Sequence, residues 1–155
     1  MGKTRQTDRC IPKKMLAGEP VDPKRSALMA RVRNKDSKPE LVVRRLAHRL
    51  GYRFRLHCRS LPGTPDLVFP KLGKVIFVHG CFWHRHQNCF LTTTPKTRTA
   101  YWTDKFARNI ERDAAKTGQL KALGWEVLVL WECETFDPDT MIERLAAFFS
   151  GHRIY

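Results

Sequence analysis

Apolar positions along this 155-residue chain follow two rhythms, one helical and one extended. Residues 24–36, KRSALMARVRNKD, set Leu28, Met29 and Val32 on one side among Arg25, Arg31 and Arg33, which predicts a helix. Ser37-Lys-Pro-Glu40 is a capping-box pattern with proline just inside a second helix start. Behind it, Val42, Val43, Leu46, Ala47 and Leu50 keep helical spacing until Gly51 stops them. The period then changes to two. YRFRLH (52–57) alternates as a strand with one wet, basic face, LPGTP (61–65) is a turn, and Asp66 to Phe69 is a short strand. A turn at 71–74 leads into the buried strand Val75–Val78. Residues 98–123 read as a long helix carrying Tyr101, Trp102, Phe106, Ile110, Leu120 and Leu123, with a break allowed near Gly118 and a stop at Gly124. WEVLVLWE (125–132) is an apolar strand, and an amphipathic helix over 138–150 completes the pattern. The order α, β-β-β, α, β, α predicts an α/β fold, a mixed central sheet flanked by helices in one layered core.

Residues 1–24 fall outside both rhythms. They are polar, basic and broken by Pro12, Pro20 and Pro23, which predicts a flexible arm ahead of a single domain over 25–155. Charge extends the picture. Lys and Arg number 29 against 15 Asp and Glu, and residues 1–60 hold 17 basic and 5 acidic residues, net +12 of the total +14. An excess so unevenly placed points to a polyanion-binding face, and so to nucleic acid, although charge alone does not separate RNA from DNA. No apolar run approaches the ~18–20 residues of a membrane span, and the N-terminus lacks the apolar core of a signal peptide. A cytosolic compartment follows, where thiols stay reduced. The five cysteines then point to metal ligation before disulfides.

Three groups of residues carry candidate chemistry. Asp66, opening a strand after a Pro-Gly-Thr-Pro turn, is a hard oxygen ligand on a rigid element, as metal-dependent phosphodiester cleavage requires. Alone, such a residue is more commonly a turn cap. Its partner strand ends in Val78-His79, where restriction-endonuclease-like nucleases usually offer an acid-x-Lys. Cys81, His86 and Cys89, with Cys133 beyond the last strand, supply a sulfur and nitrogen set suited to tetrahedral Zn²⁺, with His84 as the alternative nitrogen ligand. Phe82-Trp83 and Tyr101-Trp102 are aromatics that in a basic protein stack on or wedge between bases, although helical spacing favours the core for Trp102, while for Phe82-Trp83 core and base contact are closely balanced.

Arg25-Ser26-x-x-Met29, Lys38-Pro39-Glu40, Leu61-Pro-Gly-Thr-Pro-Asp66, Val75-Ile-Phe-Val-His-Gly-Cys-Phe-Trp-His84, Thr97-Arg-Thr99, Trp102, Asn109-x-x-Arg112-Asp113 and Trp131-Glu132-Cys133 together resemble the very-short-patch repair (Vsr) endonucleases, which nick DNA beside a T·G mismatch. The resemblance covers almost the whole chain after the arm and implies a restriction-endonuclease-like core with a structural zinc site. It implies Mg²⁺ bound by Asp66 and the backbone carbonyl of Val78. His79 and His84 would stand at the scissile phosphate, His84 as general base, with Glu40 orienting the water at the metal. Zn²⁺ would sit on Cys81, His86, Cys89 and Cys133. Two residues separate His86 from Cys89 where the family commonly has one, which leaves His84 and His86 open as the zinc ligand. Phe82, Trp83 and Trp102 would insert beside the mismatch from the major groove, and the helix with Arg25 and Met29 would approach from the minor groove. The implied partner is double-stranded DNA containing a T·G mismatch, with other mismatch-repair proteins downstream and no membrane. The protein would act as a monomer in the bacterial cytoplasm, at the nucleoid. Two alternatives stay open on the residues alone: a site-specific, restriction-type nuclease without mismatch preference, and a non-catalytic, zinc-stabilised DNA-binding module.

Overall fold

A computed structural model describes residues 22–150, so most of the predicted arm lies outside the described residues. The described residues fall into two compact units, one up to Arg31 and the other from Val32 onward. In the first, helix α1 (Pro23–Ala30) starts where the Asp22 side chain accepts from the backbone N–H of Lys24, with proline in its first turn. It stops six residues short of the predicted end. No α1 residue is buried, and a helix this short without a packed face has little to extend it. Arg25 and Met29 lie on this helix, both half-buried.

The second unit is built on a four-stranded mixed sheet in the order β1 (Arg55–Leu56), β2 (Leu67–Phe69), β3 (Lys74–His79), β4 (Glu126–Trp131). The first two pairings are antiparallel and β3–β4 is parallel. Helix α2 (Lys38–Arg49) opens at Ser37, whose Oγ accepts from the N–H of Glu40. It closes in a Schellman motif, with Gly51 at φ 90 and Tyr52 N–H donating to Ala47. The one-turn helix α3 (Cys81–His84) follows β3 directly, and α4 (Thr99–Ala122) runs unbroken past Gly118. Helix α5 (Pro138–Phe149) is capped by Asp137.

Alternation along the strands sends apolar side chains to both faces. Leu67, Phe69, Ile76 and Leu130 meet Val43, Leu46 and Ala47 of α2 and Met141, Leu145 and Phe149 of α5. Val68, Val75 and Phe77 meet Leu120 of α4 on the opposite face. The sheet is therefore covered on both sides, which accounts for the continuous apolar run of β3. The 52–57 strand shrinks to two residues. Its alternation persists through Phe54, but His57 takes a left-handed backbone (φ 47) and ends the ladder. Among the described residues, no helix is long and apolar enough to cross a membrane.

Candidate active site

The carboxyl ends of β3 and β4 deliver most of the predicted site residues to one place. β2 pairs antiparallel with β3, so Asp66, one residue ahead of β2, reaches the backbone where β3 ends. Its Oδ2 accepts from the N–H of Val78 at 2.7 Å. The preceding turn is tight: a Cβ on Gly63 (φ 76) would stand 3.0 Å from Lys116 Cβ and 3.2 Å from the Phe77 ring. Burial pushes the Asp66 carboxyl up to about 6, opposed by the Val78 hydrogen bond and reinforced by the Glu40 carboxylate.

His79, the last residue of β3, stacks on His84 at 3.9 Å between ring centroids and 9° between planes. Burial holds the His79 imidazole down at about 4, and the neighbouring His84 adds to this, so it is neutral at pH 7. The His84 Nδ1 lies 2.5 Å from Asp113 Oδ2 on α4. Burial opposes the Asp113 charge, but the His84 hydrogen bond wins and keeps its carboxyl below the usual value. Four residues earlier on α4, Asn109 Nδ2 donates to the carbonyl of Trp83. These two contacts tie α3 to one face of α4.

A second cluster lies directly beside the first. In the parallel β3–β4 register His79 faces Trp131, so two residues further along each chain Cys81 meets Cys133. The Cys133 N–H donates to Cys81 Sγ at 3.4 Å. Arg85 then adopts the left-handed conformation (φ 57) that turns the chain back. His86 returns with Nδ1 3.3 Å from Cys133 Sγ and 3.7 Å from Cys81 Sγ, its ring stacked on Trp131 at 4.3 Å. With Cys89, the four ligand atoms lie within 4.8 Å of one another. Ligand atoms around tetrahedral zinc stand roughly 3.5 Å apart, so three thiols and one imidazole fit that ion with little movement. The geometry also separates the two histidines left open by spacing: His86 is in the cysteine cluster and His84 is committed to Asp113. Burial pushes the Cys81 thiol up to about 12, a penalty that a bound cation would remove.

Phe82 and Trp83 are half-buried on α3 and pack edge-to-face at 5.0 Å. Trp102 is only 9% exposed, with Phe82 at 5.7 Å, Trp83 at 6.1 Å and Phe106 at 5.5 Å. Lys105 Nζ lies over Trp83 at 4.8 Å and over Trp102 at 5.3 Å, putting a cation at the rim of this aromatic group.

Glu40 is 4% exposed and both of its oxygens are engaged. Oε1 accepts from Ser37 Oγ, and Oε2 accepts from the Asp36 N–H and from Arg44 Nη2. The sequence alone gives no role to Asp113, Arg44, His57 or Lys105. Asp113 appears there only within a motif, although its spacing from Asn109 already places both on one helical face. Arg44 stands one turn beyond Glu40, a legible i,i+4 pair. His57 falls among the wet residues of an alternating strand, and nothing local marks it otherwise.

A family model for DNA mismatch endonuclease Vsr matches residues 21–90. The chain is 50% identical over 122 residues to the type II nicking enzyme V.XorIIP of Xanthomonas oryzae pv. oryzae, covering 79% of this chain and 89% of that protein. It is 39% identical over 132 residues to DNA mismatch endonuclease Vsr of Escherichia coli K12, covering 82% and 84%. With the type II nicking enzyme V.NmeAIP of Neisseria meningitidis it shares 38% identity over 122 residues, 79% and 86% of the two chains.

Proposed function

The chain belongs to the Vsr family of DNA mismatch endonucleases and is therefore a DNA endonuclease; from that premise we propose that it is Mg²⁺-dependent and nicks one strand beside a T·G mismatch, opening very-short-patch repair. The observation that carries the reading is the His84–Asp113 pair, stacked on His79 and within electrostatic reach of Asp66 at the end of β3.

Asp66 has one oxygen tied to the Val78 N–H and the other turned from it, and Val78 carries a backbone carbonyl of its own at the end of β3. Two oxygen donors on a rigid strand end suit Mg²⁺. When bound there, Mg²⁺ supplies charge stabilisation for the phosphate and its leaving oxygen. His84 donates Nδ1–H to Asp113, which leaves Nε2 free to take the proton of an attacking water. Asp113 then stabilises the imidazolium, as the carboxylate of a catalytic triad does. His79, neutral and half-buried, offers an N–H to a phosphate oxygen without adding a second positive charge. Glu40, buried and fully hydrogen-bonded, sets the direction from which water reaches Asp66.

Cys81, His86, Cys89 and Cys133 hold Zn²⁺ in this reading, fixing α3 with its aromatic pair and His84. Phe82, Trp83 and Trp102 enter beside the mismatch from the major groove, and Arg25 and Met29 reach the minor groove. A T·G pair is weakly stacked, so the wedge costs less there than at a matched pair. The α/β core is then of the restriction-endonuclease type. The enzyme acts as a monomer in the bacterial cytoplasm, at the nucleoid, and hands the nick to other repair proteins.

The relatives from Xanthomonas and Neisseria are named type II nicking enzymes, and a second reading is a site-specific nuclease without mismatch preference. One assay separates the two. Purified protein with Mg²⁺ is offered duplexes that differ only in T·G or T·A at one position, across randomised flanks. Strand-specific nicking of T·G duplexes alone is expected. Equal nicking of both overturns the mismatch reading, and nicking that survives complete removal of divalent ions overturns the Mg²⁺ reading.

A further inference from the structure

Between the two carboxylates of the proposed reaction lies a histidine to which nothing so far gives a role. His57 Nε2 is 2.9 Å from Arg44 Nη2, and the same Nη2 is 2.9 Å from Glu40 Oε2. Arginine only donates, so Nε2 of His57 is the acceptor in this contact, and each of the two hydrogens on Nη2 has one partner. In the neutral ring the proton is then on Nδ1. That atom faces Asp66 Oδ1, 3.8 Å away, on the oxygen not used by Val78. The His57 backbone N–H also donates to the Asp66 carbonyl, at 3.4 Å.

Two further observations set this arrangement apart from an ordinary solvated polar group. His57 is 14% exposed and takes a left-handed backbone (φ 47), a conformation that costs a non-glycine residue energy and is kept where surrounding contacts require it. Asp36, at the other end of the same group, is also left-handed (φ 55), and Arg44 Nη1 donates to it at 2.6 Å. Asp36, Glu40 and His57 have the spacing of a metal cage, but the Arg44 guanidinium reaches all three. That cation makes the group an orienting network.

We propose that His57, its ring fixed by Arg44, is a positioning residue for nicking: it couples Glu40 to the free oxygen of Asp66 and sets the direction in which that oxygen meets the divalent cation. This rests on the reading of Asp66 as the cation's ligand. Outer partners of this kind orient a ligand, and their loss typically weakens metal binding by roughly 10–100-fold.

The test uses the full-length, zinc-loaded protein bound to its nicked product duplex, titrated with Mn²⁺ and followed by the resonance of free Mn²⁺. Mn²⁺ is an oxygen-seeking ion that does not displace zinc from thiolates. The Asp66→Ala complex gives the background uptake of DNA and protein surface. His57→Ala is expected to weaken the Asp66-dependent site about 10-fold or more. His57→Gln, which keeps an acceptor for Arg44 and a donor for Asp66, is expected to restore most of it. Under nicking conditions, with active molecules counted by stoichiometric duplex binding, kcat per DNA-binding molecule falls in His57→Ala while KM for the duplex stays unchanged. Mn²⁺ affinity within twofold of wild type in His57→Ala overturns the proposal. Should that variant fail to fold, Arg44→Met takes its place in the titration, with the same expected weakening and the same overturning result. If the Asp66→Ala complex takes up Mn²⁺ as the wild type does, the metal reading of Asp66 falls and this proposal falls with it. The first failure leaves the metal reading standing.

Discussion

Replacing Asp66 by Asn should make this protein more stable and inactive at once. The Asp66 carboxyl is driven from 3.8 to about 6, mainly by burial, so its charged form is disfavoured in the native state. Below pH 3.8 the group is protonated in folded and unfolded chains alike, and the penalty is absent. As pH rises toward 6 the unfolded chain releases its proton first, and stability falls. Above that the penalty is complete, about 3 kcal/mol from the difference between the two values. Asparagine keeps an oxygen for the Val78 N–H and carries no charge, so Asp66→Asn removes the penalty. Urea unfolding of zinc-loaded protein without Mg²⁺ measures it. The variant's advantage should be about 3 kcal/mol at pH 7.5, about half that at pH 5, and near zero at pH 3.8. Added Mg²⁺ should stabilise only the wild type, because only the native wild-type chain presents the carboxylate that binds it. Nicking by Asp66→Asn should be undetectable. A variant no more stable than wild type at pH 7.5, or one whose advantage does not shrink in acid, would refute the reasoning.

Three other substitutions probe the remaining parts of the site. Asp113→Asn keeps a hydrogen-bonding group beside His84 but not its charge, and single-turnover nicking should slow by roughly 10²–10⁴-fold with duplex affinity unchanged. An unchanged rate would remove the pair from proton transfer. Metal analysis should find about one zinc per chain, and Cys133→Ser should lose it together with several degrees of thermal stability. A wild type that is stable and free of zinc contradicts the role of the cysteine cluster. Trp83→Ala removes half-buried stacking area beside the wedge and should reduce the preference for T·G over T·A duplexes about 10-fold or more, read as a ratio of kcat/KM. A preserved ratio would move mismatch recognition elsewhere.

Helix starts and stops and the strand runs were legible in the chain because each depends on local spacing. Ser37 marks a helix start through its side-chain cap, and Gly51 and Gly124 mark helix ends through a left-handed backbone that few other residues favour. The apolar run Val75–Val78 announces a strand covered on both faces because both sets of side chains must leave water. Local spacing also misled in two places. The helix from residue 24 ends at Ala30, because an amphipathic pattern without a packed face does not propagate. The alternating segment 52–57 gives up its ladder to the left-handed turn at His57.

Tertiary structure alone decided where each histidine lies. His84 and His86 are two residues apart and chemically identical. The left-handed Arg85 sends one to Asp113 on α4 and the other to a thiol cluster closed by Cys133, through a parallel register that local pattern does not encode. The chain from Glu40 through Arg44 and His57 to Asp66 is of the same kind. Its successive members are four to thirteen residues apart in sequence. Glu40 and Arg44 pair locally on α2, and they meet His57 and Asp66 only because α2 and the turn ahead of β2 converge at one end of the sheet. Sequence determined the elements and the inventory of reactive groups, since those depend on neighbours along the chain. The fold decided their pairing, because a proton, a cation and a carboxylate respond to distance in space.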